Sequence, residues 1–393
     1  MLYSTRAAID LDALRHNVTA LRSVAGDRLL LAPLKANAYG HGAVELARFL
    51  EREHLADWVG VTTVPEALEL RDAGVTLPML KLSLSFPDEL AALLAADVAV
   101  TVADDAGVDA VEAAAAAAAV GAGVTAQVHL KIDTGMRRVG CEPADAVALA
   151  RRVSACQHLN LQGLATHLPI IDGADDGFTE AQLASFQGAV QAVQDDRASA
   201  GLAPVPLVHA SNSGGILGHS LAGLTMVRPG ISLFGCYPGA TTPHPVELRP
   251  VMTLTSKIAA VKQVAAGVTV GYGRTWIAPC DTWIATVPVG YADGYSRLNS
   301  NRGAMLVGGR RYPVAGRVCM DSTMLDLGPG ATAPAAVGDT VTWLGVDGDE
   351  AVTADDLAAI MGTISYEVFC LIGARVPRDY LLGGRSRYQT AVA

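Results

Sequence analysis

Between residues 29 and 233, short apolar runs rich in β-branched residues alternate with longer stretches whose apolar positions recur every three to four residues. The runs lie near 29–36, 57–63, 78–83, 97–102, 125–132, 161–167, 206–211 and 225–233. Helical spacing falls between them, for example over Val64 to Ala73, Asp104 to Val120 and Phe178 to Ala200. This alternation predicts βα units and a parallel sheet. Eight such units predict a (β/α)₈ barrel; the alternative, a doubly wound open sheet, lacks the G-x-G-x-x-G that would follow a strand in a dinucleotide fold.

Near Pro243-His244-Pro245 the texture changes. Strand-like runs with glycine punctuation follow: Val268-Thr269-Val270, Trp283 to Val289, Ala304 to Val307 and Thr340 to Leu344, with one helical piece from Ala354 to Met361. The expected architecture is therefore α/β, with a TIM-like barrel over 1–240 and a mostly β C-terminal domain over 241–393.

At 393 residues the chain is long enough for two domains, and with 51% apolar and 17% charged residues it has ample material for a core. A net charge of -10 argues against a nucleic-acid partner, which needs a basic surface. The alanine run Ala113 to Ala119 is weakly hydrophobic and follows Glu112, so it reads as a helix and not a membrane span. No targeting pattern opens the sequence, and the six cysteines show neither C-x-x-C nor a metal-ligand spacing. The expectation is a cytoplasmic protein with free thiols, no metal and no membrane association.

Unusual polar residues collect where the predicted barrel strands end, which is where barrel enzymes build their sites. Lys35 closes the apolar run Leu29-Leu30-Leu31-Ala32 and opens Lys35-Ala36-Asn37-Ala38-Tyr39-Gly40-His41-Gly42. A lysine is costly to bury, so one that closes an apolar strand either does chemistry, pairs with an anion, or snorkels to the surface. The chemical reading is a Schiff base with a carbonyl or with pyridoxal phosphate. Lys131 to Arg138, Thr166-His167, Ser211 to Gly215 and Arg228 to Ile231 end other strands, and two of the chain's five lysines fall at such ends. Ser213-Gly214-Gly215 and Gly230-Ile231 follow the last two strands, the usual phosphate-binding place of this barrel. Taken singly, His167 is more often a hydrogen-bonded core histidine than a catalyst, Arg138 could be a surface charge and Asp133 could simply cap a turn. Arg228 inside a β run is harder to dismiss, since a buried guanidinium needs a fixed partner.

Together these residues resemble the alanine racemase family over almost the whole chain. The resemblance runs through Lys35 to Gly42, Asp133 to Gly140, Arg228 to Gly235, Gly271 to Arg274, Gly290 to Tyr295, Val318 to Asp321 and Ser365-Tyr366-Glu367. It implies a pyridoxal 5'-phosphate enzyme that interconverts L- and D-alanine and feeds D-alanine to cell-wall synthesis. It implies that Lys35 carries the cofactor and acts as one base, and that Tyr272 is the second base, working from the partner subunit. His167 is implied to hydrogen-bond that tyrosine, with Arg228 beside it and facing the pyridine nitrogen. Tyr39, Ser213, Gly230, Ile231 and Tyr366 would surround the phosphate. Arg138 and the backbone N–H of Met320 would hold the substrate carboxylate, Tyr291 would narrow the entrance, and Lys131 would be the site of carbamylation known in some members. A head-to-tail homodimer with shared active sites follows from these roles.

Three departures bear on the substrate: the apolar Leu168-Pro169-Ile170-Ile171-Asp172, Trp276 where a tyrosine is common, and Phe234 in place of another. They leave the side-chain pocket open to serine or a larger amino acid. A fold-related decarboxylase and a non-catalytic pyridoxal phosphate carrier are the remaining alternatives. The first would want a carboxylate where Arg228 stands; the second would have no use for Tyr272 or Arg138.

Overall fold

The computed structural model describes residues 3–119, 125–170 and 177–389. Val120, at the end of one predicted helix, and Ile171 and Asp172 of the apolar loop lie outside them. The chain forms two compact units, one made of Arg15–Ala38 and Ala43–Arg249, the other of Met1–Leu14, Tyr39–Gly42 and Pro250–Ala393.

The first unit is a closed barrel of eight parallel strands. The first strand of the chain, β1 (Arg6–Asp10), is not part of it. The barrel runs through β2 (Leu29–Pro33), β3 (Trp58–Val61), β4 (Met79–Leu84), β5 (Val98–Val102), β6 (Ala126–Lys131), β7 (Leu159–Ala165), β8 (Leu207–His209) and β9 (Met226–Val227), in chain order. It closes where Leu29 pairs with Met226 and Leu30 with Val227. Leu31, Trp58, Leu80, Ala99, Leu207 and Met226 fill its interior, with Leu29 and Leu82 packed against them. That layer comes from alternate strand positions, so every second residue toward the strand ends faces the same interior.

The predicted strand near 225–233 is shorter than its apolar texture suggests. Only Met226–Val227 pair, and Ile231–Phe234 form a 3₁₀ turn. Pro229 has no N–H to continue a ladder. Helices cover the barrel at their predicted places, including Val64–Asp72, Asp105–Ala119 and Phe178–Ser199. Val64–Asp72 begins with a capping box in which the Thr63 side chain and Glu66 satisfy each other's backbone N–H.

The second unit is mostly β. Its largest sheet has eight strands, and β1 sits in it, antiparallel to Met252–Lys257 and parallel to Arg378–Leu382. An assignment of all of 1–240 to the barrel therefore needs correction at its start. The pattern Arg6-Ala7-Ala8-Ile9-Asp10 buries only alternate residues, Ala7 and Ile9, which suits a sheet with two different faces and not a barrel wall. A three-stranded sheet holds Ala260–Val264, Thr282–Val287 and Thr323–Gly328, and a short hairpin joins Thr269–Val270 to Trp276–Ile277. Helix Ala354–Met361 lies where the sequence places it.

Candidate active site

In the barrel unit, Lys35 stands two residues past the end of β2 and is half-buried. The four residues after it, Ala36 to Tyr39, all have left-handed backbones, with φ between 51° and 53°. Such a run costs on the order of 1–2 kcal/mol per non-glycine residue, so other contacts must hold it. Glu66 Oε1 accepts from Ala36 N–H at 2.7 Å, Leu34 O from Ala38 N–H at 2.8 Å, and Asn37 Oδ1 from Ala43 N–H at 2.8 Å. Glu66 Oε2 also accepts from Thr62 and Thr63, so one carboxylate ties the neighbour of Lys35 to the end of β3.

Arg228 follows β9 and is only 5% exposed. Its Nη2 donates to Thr166 O at 2.9 Å and Ala210 O at 3.0 Å, and reaches His167 Nδ1 at 3.3 Å; its Nη1 reaches His209 Nδ1 at 2.6 Å. No carboxylate joins this set. Burial lowers its pKa to about 10, so it remains a cation at neutral pH. Burial, then the charges of Arg228, Lys131, Arg138 and Lys35, hold His167 well below the usual histidine range. His167 is thus neutral at pH 7. Because its Nδ1 accepts from Arg228, its proton sits on Nε2.

Lys131 ends β6, and its pKa falls well below the ordinary lysine value through burial, Arg228 and Arg138, against an opposing effect of Asp133. The loop that follows is built by Asp133, whose Oδ1 accepts from Gly135 N–H at 2.9 Å and Arg137 N–H at 3.0 Å. Burial works to raise the Asp133 pKa, but those backbone donors outweigh it. Asp133 is a turn organiser, and it carries Arg138 on an exposed limb. Across the barrel mouth, Ser213 Oγ accepts from Gly230 N–H at 2.8 Å and Ser232 N–H at 3.2 Å, which leaves its own proton free to donate.

The β unit places the remaining predicted residues. Tyr39 is buried, its ring 6.0 Å from that of Tyr366, and burial followed by the nearby Cys370 raises its pKa. Tyr272 occupies the tight turn between Thr269–Val270 and Trp276–Ile277 and is 72% exposed. Tyr291 and Met320 are 42% and 53% exposed and lie on two loops bonded to each other: Tyr291 N–H donates to Cys319 O at 3.0 Å, and Ala292 N–H to Met320 O at 3.1 Å. The fully buried Asp293 holds this pair of loops, accepting from Gly290 N–H, Tyr3 Oη and the Arg375 guanidinium at 2.7–3.1 Å. Arg375 also donates to Asp321 at 2.8 Å.

Of the departures noted in the sequence, Trp276 is half-buried and Phe234 is a core residue. Trp276 packs against the cluster of Val270, Ile284 and Ala315, and Phe234 is fully buried. His209, His129, Glu66, Asp293 and Arg375 are the site-supporting residues that the sequence reading missed. Strand alternation was the available signal for the two histidines, since His129 stands two before Lys131 and His209 two before Ser211.

Residues 9–238 match the family described as alanine racemase, N-terminal domain, and residues 251–380 match the alanine racemase C-terminal domain. The chain belongs to the alanine racemase family. The alanine racemase of Cutibacterium acnes is 45% identical over 382 residues, covering 96% of this chain and 98% of that protein. The solved alanine racemase of Clostridium difficile 630 superposes with a TM-score of 0.91 at 34% identity, covering 100% of this chain and 99% of the other. That of Bacillus anthracis, solved with bound L-Ala-P, gives 0.88 at 32% identity, covering 99% and 98%.

Alanine racemase is a pyridoxal phosphate enzyme, and the barrel residues fit that group. The Arg228 Nε–H and the second Nη1–H have no acceptor among the described residues, so a buried cation keeps donors for a ring nitrogen. The Ser213 hydroxyl and the Ile231 N–H stand ready for an anion at the other end.

Proposed function

We propose that Lys35 and Tyr272 are the two bases with which this pyridoxal 5'-phosphate-dependent isomerase interconverts L- and D-alanine. The bound cofactor supplies a carbonyl for Lys35 and a conjugated ring that withdraws electrons from the substrate α-carbon. Everything else falls to the protein. The observation that carries the reading is the neutral His167, held with Nδ1 toward Arg228 so that Nε2–H is left to donate.

A tyrosine hydroxyl has a pKa near ~10 and is a poor base at neutrality. A hydrogen bond from His167 Nε2–H to the Tyr272 oxygen, with the Arg228 charge behind, would stabilise the phenolate form that serves as the base. Tyr272, Tyr291 and Met320 are exposed on the β unit, which suits service to a second chain. The partner subunit's Tyr272 is assigned to the face of the substrate opposite Lys35, giving a head-to-tail homodimer with shared active sites. Arg138 takes the substrate carboxylate by its planar fork of donors, joined by the backbone N–H of Met320. Tyr39, Ser213, Gly230, Ile231 and Tyr366 receive the phosphate.

Lys131, whose pKa burial and the cations Arg228 and Arg138 hold well below the ordinary lysine value, is the amine expected to add carbon dioxide. The nitrogen lone pair forms the N–C bond, one proton leaves to water, and the resulting carbamate anion orients Arg138. Arg228, a cation that keeps its proton, makes the ring nitrogen a weak electron sink, which favours rapid reprotonation over the decarboxylase alternative. Among the described residues no helix is long and apolar enough to cross a membrane. A cytoplasmic role in supplying D-alanine for the cell wall accords with this reading.

The test is α-proton exchange in D₂O, followed by NMR and chiral analysis on L-alanine, L-serine and L-lysine. Exchange on alanine with D-alanine appearing is expected; exchange confined to another amino acid would overturn the substrate. Lys35→Ala should lose the cofactor's absorbance, whereas Tyr272→Phe should keep it and lose racemisation. Exchange retained by Tyr272→Phe in both directions would remove its assignment. Dilution to monomers should abolish turnover, and full activity per chain in a proven monomer would refute the shared site.

A further inference from the structure

A single line of hydrogen bonds runs from Arg228 into the barrel interior. Arg228 Nη1 is 2.6 Å from His209 Nδ1, His209 Nε2 is 2.8 Å from His129 Nδ1, and His129 Nε2 is 3.3 Å from Gln162 Oε1. A guanidinium only donates, so His209 Nδ1 accepts and its proton sits on Nε2. That proton points at His129 Nδ1, which therefore also accepts, and the His129 proton is sent on to Gln162. Each ring is held in one tautomer, and every bond in the line points away from Arg228. Both rings are buried, and burial together with the Arg228 charge keeps them neutral.

The fold makes room for this arrangement at a specific cost. The His129 ring lies edge-on to Trp58, with centroids 5.8 Å apart, and at 5.1 Å from His209. A Cβ on Gly163 would come within 2.3 Å of His129 Nδ1, so the wall of β7 gives up a side chain to admit the ring. A histidine that served only to fill space would not need its two nitrogens aligned on two polar partners.

We propose that His129 is a positioning residue for Arg228. By accepting from His209 Nε2–H it anchors the His209 ring in the orientation that aims Nδ1 at Arg228, and that acceptor fixes the guanidinium. The proposal rests on the reading that Arg228 faces the cofactor's ring nitrogen. Without His129, the buried His209 Nε2–H loses its acceptor. Arg228 still keeps the proton off Nδ1, so the ring stays in the same tautomer but turns to find a partner for its stranded Nε2–H, and Nδ1 leaves the guanidinium.

The first measurement is ¹⁵N NMR of histidine-labelled holoenzyme. His129 and His209 should both appear neutral with the proton on Nε2; a proton on Nδ1 of either ring overturns the proposal without any variant. His129→Leu removes the acceptor, while His129→Asn restores it, because Oδ1 takes the place of Nδ1. The leucine variant should shift the His209 Nδ1 and Nε2 resonances as their hydrogen bonds weaken, lower kcat about ten-fold with KM little changed, and move the cofactor absorbance band in the direction that Arg228→Lys moves it. The asparagine variant should recover all three. Equal behaviour of the two variants, or a normal His209 in the leucine variant, would make His129 a packing residue only. An absorbance band indifferent to Arg228→Lys would instead remove the reading of Arg228 at the ring, and with it the positioning role, even if both tautomers stand as assigned.

Discussion

Gly290→Ala should separate the two loops that carry Tyr291 and Met320. A Cβ at position 290 would lie 2.2 Å from Met320 O and 2.4 Å from both Cys319 O and Met320 C, closer than real Cβ atoms come. These are backbone atoms, so no side-chain rotation relieves the contact, and one loop must retreat by the better part of an ångström. The bonds Tyr291 N–H to Cys319 O at 3.0 Å and Ala292 N–H to Met320 O at 3.1 Å would stretch beyond useful range. Each is worth about 0.5–1.5 kcal/mol, so a loss of about 1–3 kcal/mol is expected. For a chain of this size that corresponds to a fall in Tm of roughly 1–4 °C. The functional effect should be larger in proportion, because displacing groups that position a substrate by about 1 Å costs up to about 100-fold. Differential scanning calorimetry and steady-state racemisation are the assays, with cofactor content measured in parallel. A variant with unchanged Tm and unchanged kcat/KM would show that the contact between these loops is not needed, and the argument would fail.

Acid should destabilise the protein through its buried histidines. The unfolded chain takes up protons near pH 6.5, while His129 in the folded state does so only near about 4, and His167 and His209 lie well below the ordinary value. Stability should thus fall as pH drops from 6.5 toward 4, by up to about 1.4 kcal/mol per pH unit for each histidine, and denaturant midpoints flat across that range would contradict it. Arg375→Leu leaves the buried Asp293 carboxylate with only Tyr3 and Gly290 as donors, and should cost about 2–3 kcal/mol in urea unfolding, below the ~3–5 kcal/mol of a fully stranded charge. Ala36→Val places a β-branched residue at φ 51° on an exposed position, so any loss reports the backbone alone. About 1–2 kcal/mol is expected, and a neutral variant would mean the left-handed turn is not maintained in solution.

The barrel was legible in the sequence because its strands are buried on both faces and so read as unbroken apolar runs, separated by stretches of helical period. The chemistry was legible because charged groups at the ends of such runs, Lys35, Lys131 and Arg228, have no cheap structural excuse. Short motifs around Tyr272, Tyr291 and Met320 carried the family resemblance, and with it the expected roles.

Tertiary structure alone decided what holds those groups in place. β1 left the barrel for the β sheet, since local pattern can say that a strand has two unlike faces but not which neighbours it pairs with. His129, His209 and Gln162 lie in three separate sequence regions and meet only when the barrel closes. Asp293 and Arg375 stand 82 residues apart and look like ordinary surface charges until the fold buries one against the other. Sequence fixes periodicity and residue chemistry locally, whereas hydrogen-bond partners, tautomers and shifted pKa values are set by atoms that only a closed fold brings within about 3 Å.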